Sequence, residues 1–324
     1  MTAETSRPTG SRWWRRLPRS YGPLLGLVAA CCLFAALRPQ TFISRDNLAI
    51  ILQQTAVIGI SSLGMTLVII AGGIDLSVGS IIALGTVVIA QLLQRHCPPA
   101  LAALGGVAVS AGCGLVSGLL ITRLRLLAFV VTLGMMGVLR GAAKGLAGEQ
   151  PIYPDETWLN GLMTLGRGGL PTGVWLMLVC SVVVALGLRH TRFGRHVFAI
   201  GSNELTARLC GVPVERVQVA VYALEAGFAG LGSVLQFAYL TGGDPTTAVG
   251  LELNIIAAVV IGGASLQGGR GSVGGTLVGA LVMSVVANGC TKLGLSNWVQ
   301  EIVTGGIIIS AVLIDRIRTQ TRED

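Results

Sequence analysis

Four carboxylates stand in or beside long apolar runs: Asp75 in AGGIDLSVGS (residues 71–80), Glu225 in VYALEAGFAG (221–230), Glu252 and Glu301. A carboxylate facing lipid is costly, so each marks a polar pathway, a gate or a joint buried in protein. A line of such groups can relay protons, and Asp75, Glu225 and Glu252 are the set that would do so. Asp75 has a second reading: after Gly72 and Gly73 break one helix, Asp75 or Ser77 can accept backbone N–H groups at the start of the next. Glu252 and Glu301 stand near helix starts, where the dipole favours negative charge. Glu225 falls about half a span deep and must face protein, a cavity or water.

Other constellations carry less chemistry. GGRGSVGG (268–275) contains a formal Gly-x-Gly-x-x-Gly at Gly269, Gly271 and Gly274. No strand precedes it and no βαβ unit can follow, so it is expected to be a tight turn. No Gly-Lys pair occurs, which excludes a Walker A loop. His96, His190 and His196 lack metal-ligand spacing, and the seven cysteines fall mostly inside apolar runs as packing residues. The expectation is a protein that is not an enzyme, with no catalytic residues, metal or cofactor of its own.

The composition supplies the frame for these residues. Of 324 residues, 52% are hydrophobic and 12% charged, and the mean hydropathy is +0.74, against about 25% charged in a soluble domain. Glycine is abundant, at 46 residues, as expected where membrane helices approach closely. The fold class is therefore all-α, a polytopic membrane protein with spans near 22–37, 48–71, 77–94, 99–121, 126–147, 172–189, 217–240, 250–264, 273–290 and 297–315. The 250–264 run is short for a full crossing and reads as a broken or half helix.

The first apolar run lacks a small-residue cleavage site and is expected to be retained. With the N-terminus inside, 16 of the 23 basic residues fall in interior segments, which puts both termini in the cytoplasm. Arg140 and Lys144 are among those left at exterior segments or outer helix ends. The expected organisation is a cytoplasmic tail (1–21), one transmembrane domain (22–315) and a cytoplasmic tail (316–324). The net charge of +8 lies in loops rather than on one face, so nucleic acid is not an expected partner. An exterior loop near 148–171 suits a ledge at the membrane surface. An interior one near 190–216 holds a short helix, with Asn203 as N-cap and Gly211 as its stop.

There is also an internal echo: AGGIDLSVGS and IGGASLQGGR (261–270) share Gly-Gly-x-x-Leu, and transporters often carry repeats with interrupted helices. The segments that shape a pathway or break helices are thus Gly72, Gly73, Asp75 and Ser77 in the first, with Glu252, Gly262, Gly263 and Ser265 around the second.

LGMTLVIIAGGIDLSVGS (63–80), FVVTLGMMGVLRG (129–141), FGRHVFAIGSNELTARLCGVPVERV (193–217) and ELNIIAAVVIGGASLQGGRGSVGGTLVGAL (252–281) resemble the permease subunits of bacterial ABC importers for monosaccharides, the ribose, xylose, arabinose and galactose systems. The resemblance covers most of residues 45–315. It implies a ten-helix permease of the cytoplasmic membrane, working as a homodimer or heterodimer with a cytoplasmic ATPase, which binds the ATP, and a periplasmic sugar-binding protein. On this resemblance the 190–216 segment couples to the ATPase through Asn203, Glu204, Ala207 and Gly211. Leu205 and Thr206 depart from the family's usual Ala-Ala, Glu225 stands where a small residue is usual, and Asn254 where aspartate is common. The competing reading, from the carboxylates alone, is a proton-coupled secondary transporter of a small polar solute. A non-transporting membrane scaffold is a third.

Overall fold

The computed structural model describes residues 21–165 and 169–320, with the backbone alone for residue 21 and residues 314–320. The first twenty residues with their five arginines, Arg167, and the end of the C-terminal tail lie outside it. Among the described residues the chain is helical: α1 (Tyr21–Leu37), α2 (Pro39–Phe42), α3 (Arg45–Ile70), α4 (Val78–Gln94), α5 (Pro99–Arg123), α6 (Ala128–Ala147), α7 (Thr172–His190), α8 (Arg192–Ser202), α9 (Glu204–Leu209), α10 (Val214–Leu240), α11 (Leu251–Ile261), α12 (Val273–Lys292) and α13 (Asn297–Gln320). Each expected apolar segment coincides with one of these helices. By length and composition, α3, α5, α6, α7, α10 and α12 can cross a bilayer, while α1, α4, α11 and the Asn297–Leu313 part of α13 are shorter apolar stretches.

Helix α10 is central, packed on α3, α4 and α5. Glycines bring its backbone against α5: a Cβ at Gly114 would stand 2.2 Å from the Tyr222 carbonyl oxygen, and one at Gly118 2.9 Å from Val219 Cα. Much of the glycine content is used in this way, since small residues allow close packing in lipid. The outward faces of α5, α6 and α7 are apolar as well, with Leu104, Phe129, Val130, Val182 and Val183 exposed. A helix apolar on all sides belongs in a membrane or a large core.

The two ends of the bundle differ. At one end, α8, α9 and the 262–272 loop gather on the C-terminus of α3, where Gly269 N–H donates to Ile70 O at 2.8 Å and Gly201 lies against the same carbonyl. At the other end a ledge spans 148–171, with a 3-10 turn at Asn160–Met163. Ile152 and Gly243 there exchange two backbone hydrogen bonds of 2.8 Å.

Two interruptions reach from these ends toward the middle. Helix α3 ends at the α8–α9 end: Gly72 takes φ 85°, and the Gly72 and Gly73 N–H groups bond back to Ile69 and Val68, a glycine-terminated cap. The chain then turns back, and α4 begins at Val78. From the ledge end, Thr241 in the left-handed region closes α10, and the chain descends alongside α4. Gly243 lies against the Thr86 carbonyl and the Ala248 carbonyl against Gly79, seven helical residues or about 10 Å lower. Helix α11 therefore starts within the bundle. Its 11 residues span about 16 Å, roughly half of a bilayer's hydrocarbon core, as its short apolar run suggested.

Candidate functional site

The α3–α4 interruption is built around a buried carboxyl group. Asp75 is fully buried, and its Oδ1 accepts from Ser77 N–H and from Ser77 Oγ, both at 2.6 Å. Of the two residues expected to cap α4, Ser77 does not. Its backbone is already helical and its side chain makes no cap bond, because its hydroxyl is turned onto Asp75. Opposite lies Glu225 of α10, also fully buried, and the two carboxyl groups interact. No well-aligned hydrogen bond joins them: Asp75 Oδ2, both Glu225 oxygens and Tyr222 Oη are without partners. Among the described residues the ion pairs are those of Arg208 with Glu204 and Glu215, so no cation serves this cluster.

Glu252 stands elsewhere. It lines a cavity of about 300 Å3 with Ser80 of α4, Met136, Arg140 and Lys144 of α6, and Thr246 and Val249 of the descending segment. Arg140 Nη1 donates to Pro245 O at 2.9 Å and to Thr247 O at 2.6 Å. Glu252 Oε1 accepts from Gly250 N–H at 3.2 Å, while Oε2 reaches Gly79, where a Cβ would meet it at 2.4 Å. The guanidinium and carboxylate face one space without forming an ion pair. Glu301 is exposed on α13. The structure thus joins Asp75 to Glu225 and leaves Glu252 and Glu301 apart from them. Arg140 was not singled out from the sequence; its signal was a basic residue inside the apolar run at 126–147.

A second cavity, about 640 Å3, opens at the α8–α9 end and is lined by Gly72, Gly73, Arg125, Glu204, Arg208 and Tyr222 among others. Between Gly73, which lines this one, and Ser80, which lines the other, lie only residues 74–79, of which Asp75, Ser77, Val78 and Gly79 are buried. The sequence pattern that breaks α3 therefore links the walls of the two cavities.

Around the second cavity Asn203 caps α9, its Oδ1 accepting from Thr206 N–H at 2.9 Å. Gly211, at φ 81°, ends the helix as Val212 N–H bonds back to Ala207 O. Ala207 points into the body at 4% exposure, whereas Leu205 and Leu209 are 76% and 89% exposed. Of these two leucines, one helical turn apart, the sequence marked Leu205 only as a departure from the family pattern and did not distinguish Leu209.

Gly262, Gly263 and Ser265 line neither cavity. They end α11 as Gly72 ends α3, with Gly263 at φ 93°, and Gly262 packs on the backbone of Gly275 in α12. The echo between 71–80 and 261–270 is a real local likeness with a slip. Asp75 and Ser265 each receive the N–H two residues on, but the left-handed glycine is the first of the pair in one segment and the second in the other.

Residues 47–312 match the family model described as branched-chain amino acid transport system / permease component. The ribose import permease protein RbsC of Escherichia coli (strain K12) is 39% identical over 296 residues, covering 90% of this chain and 92% of that protein. RbsC of Bacillus subtilis (strain 168) is 38% identical, covering 91% and 92%. The L-arabinose ABC transporter permease protein AraH of Azospirillum brasilense is 36% identical, covering 95% and 91%. No solved structure matches the chain. The chain belongs to this permease family, as a multi-pass transport component of the cytoplasmic membrane.

Proposed function

We propose that this chain is the membrane-spanning subunit of an ATP-binding cassette importer for a monosaccharide, working with a separate cytoplasmic ATPase and an external sugar-binding protein. The observation that carries this reading is the buried joint at 74–79 with a cavity on each side. A carrier must close one access while opening the other, and the Asp75 turn stands where such a partition is needed. The relatives are named for ribose and L-arabinose import, which sets the substrate class.

The α8–α9 end faces the cytoplasm in this reading, and the basic residues of that end, Arg123, Arg125, Arg189, Arg192, Arg195 and Arg208 among them, follow the positive-inside bias. The ledge then faces the binding protein. Helix α9 offers the docking surface: Asn203 and Gly211 fix its ends, Ala207 seats it on the body, and Leu205 and Leu209 project toward the ATPase. ATP is bound by that partner, and this chain carries no cofactor. Movement of α9 and α8 reaches the joint through the contacts of Gly201 and Gly269 with Ile70. Two copies of the permease form the pathway.

The test is uptake of labelled ribose and L-arabinose by cells or vesicles carrying the chain with and without the ATPase. Uptake should require the ATPase. Sugar transport by this chain alone, insensitive to loss of any ATPase, would overturn the assignment.

A further inference from the structure

We infer that the Arg140–Glu252 cavity is a transit subsite for a neutral polyhydroxylated molecule, in which Glu252 Oε2 accepts from a hydroxyl and Arg140 donates to a second oxygen. The inference rests on the monosaccharide reading above and assigns that reading to residues.

Two features of the cavity support it. Both charged groups are already held in place, Arg140 by the Pro245 and Thr247 carbonyls and Glu252 by Gly250 N–H, so each presents its remaining polar atoms in a fixed direction. Pre-positioned groups of this kind bind without a large ordering cost. Although the two groups line one cavity, they form no ion pair, and each keeps capacity for a ligand between them.

The charges decide the ligand class. The wall carries Arg140 and Lys144 against Glu252, and Asp244, behind the wall, acts on Arg140, so the charged groups around the space sum to zero. An amino acid zwitterion is less well served. Arg140 Nη1 is committed to two carbonyls, which removes one arm of the guanidinium fork that clamps a carboxylate. Separate single-point partners around a space of about 300 Å3, at the small end of ligand pockets, suit vicinal hydroxyls on a compact ring.

The experiment uses the complete importer, permease with ATPase and binding protein, in proteoliposomes. Ribose, L-arabinose and leucine serve as probes. Glu252→Gln keeps the oxygen that receives Gly250 N–H but loses the charge, and should lower sugar uptake at least about tenfold, the loss expected from one charge-assisted hydrogen bond. Arg140→Lys, which keeps the charge but loses the fork that is held by the Pro245 and Thr247 carbonyls, should lower it severalfold. ATPase activity stimulated by the binding protein should persist in both, which separates a lost subsite from a misfolded or uncoupled permease. Normal sugar uptake in both variants overturns the subsite and leaves the importer assignment standing. Uptake of leucine but neither sugar by the unaltered complex overturns the monosaccharide reading and the subsite with it.

Discussion

The interruptions at 71–77 and 241–250 are built around the same turn. In the first, Asp75 accepts from the N–H and the Oγ of Ser77 at 2.6 Å; in the second, Asp244 accepts from the N–H and the Oγ of Thr246 at 2.7 Å. Asp-x-Ser and Asp-x-Thr satisfy their own backbone in this way wherever a helix has to stop. The surroundings differ. The first turn is sealed among α3, α4 and α10 with a second carboxyl group facing it, while the second is partly open and holds the carbonyls that aim Arg140 into a cavity. Local sequence chemistry decided where the helices break, and neighbouring helices decided which break is a partition and which a wall.

The two breaks meet at Gly79, so the strongest attack on the comparison is there. Gly79→Leu places side-chain atoms where Glu252 Oε2 and the Ala248 carbonyl lie and should abolish uptake in the complete importer, with a lowered melting temperature in detergent. Wild-type uptake would show that the breaks do not depend on one another. Next in size, changing Leu205 and Leu209 together to glutamate should remove nearly all ATP-driven uptake while the melting temperature stays unchanged, because both side chains are exposed. If the purified double variant still binds its ATPase normally, the inner break is not driven through α9.

The turns themselves give smaller effects. Asp75→Ala leaves a buried N–H and hydroxyl without their acceptor and should cost about 1–3 kcal/mol, whereas Asp244→Ala, with water at hand, should cost about 0.5–1 kcal/mol. Asp75→Asn, which keeps an acceptor, should fall between wild type and Asp75→Ala. Equal losses for Asp75→Ala and Asp244→Ala in thermal or chemical denaturation would erase the distinction between a sealed and an open turn. The smallest effect is expected from Glu225→Ala. Removing an unpartnered buried carboxyl group offsets the lost packing, so the melting temperature should not fall, and a drop of more than about 4 °C would reveal a stabilising bond between Glu225 and Asp75.

These contrasts also mark what could be read in the sequence. Apolar runs gave the positions of α1, α3 to α7 and α10 to α13 because a bilayer demands such runs, and the brevity of α11 was visible for the same reason, whereas α2 and α8 carry no such run. The return of 241–250 along α4 was hidden, since glycine and proline announce a turn without its direction. Arg140 was passed over because an arginine near the outer end of a span ordinarily reaches to the membrane surface; only the Pro245 and Thr247 carbonyls turn it to another use. In α9 the family likeness pointed to Ala207, which is the inward residue. Six residues are too short for periodicity to reveal that Leu205 and Leu209 share the outer side. The Gly-Gly echo pointed to two similar helix ends, and backbone dihedrals were needed to show the one-residue slip.

The paired hydrogen bonds of Ile152 and Gly243 place the ledge two residues from Pro245, whose carbonyl holds Arg140. Ledge, tether and guanidinium form a short mechanical linkage. The position of the rim and the aim of the guanidinium in the cavity are thereby set by the same few bonds.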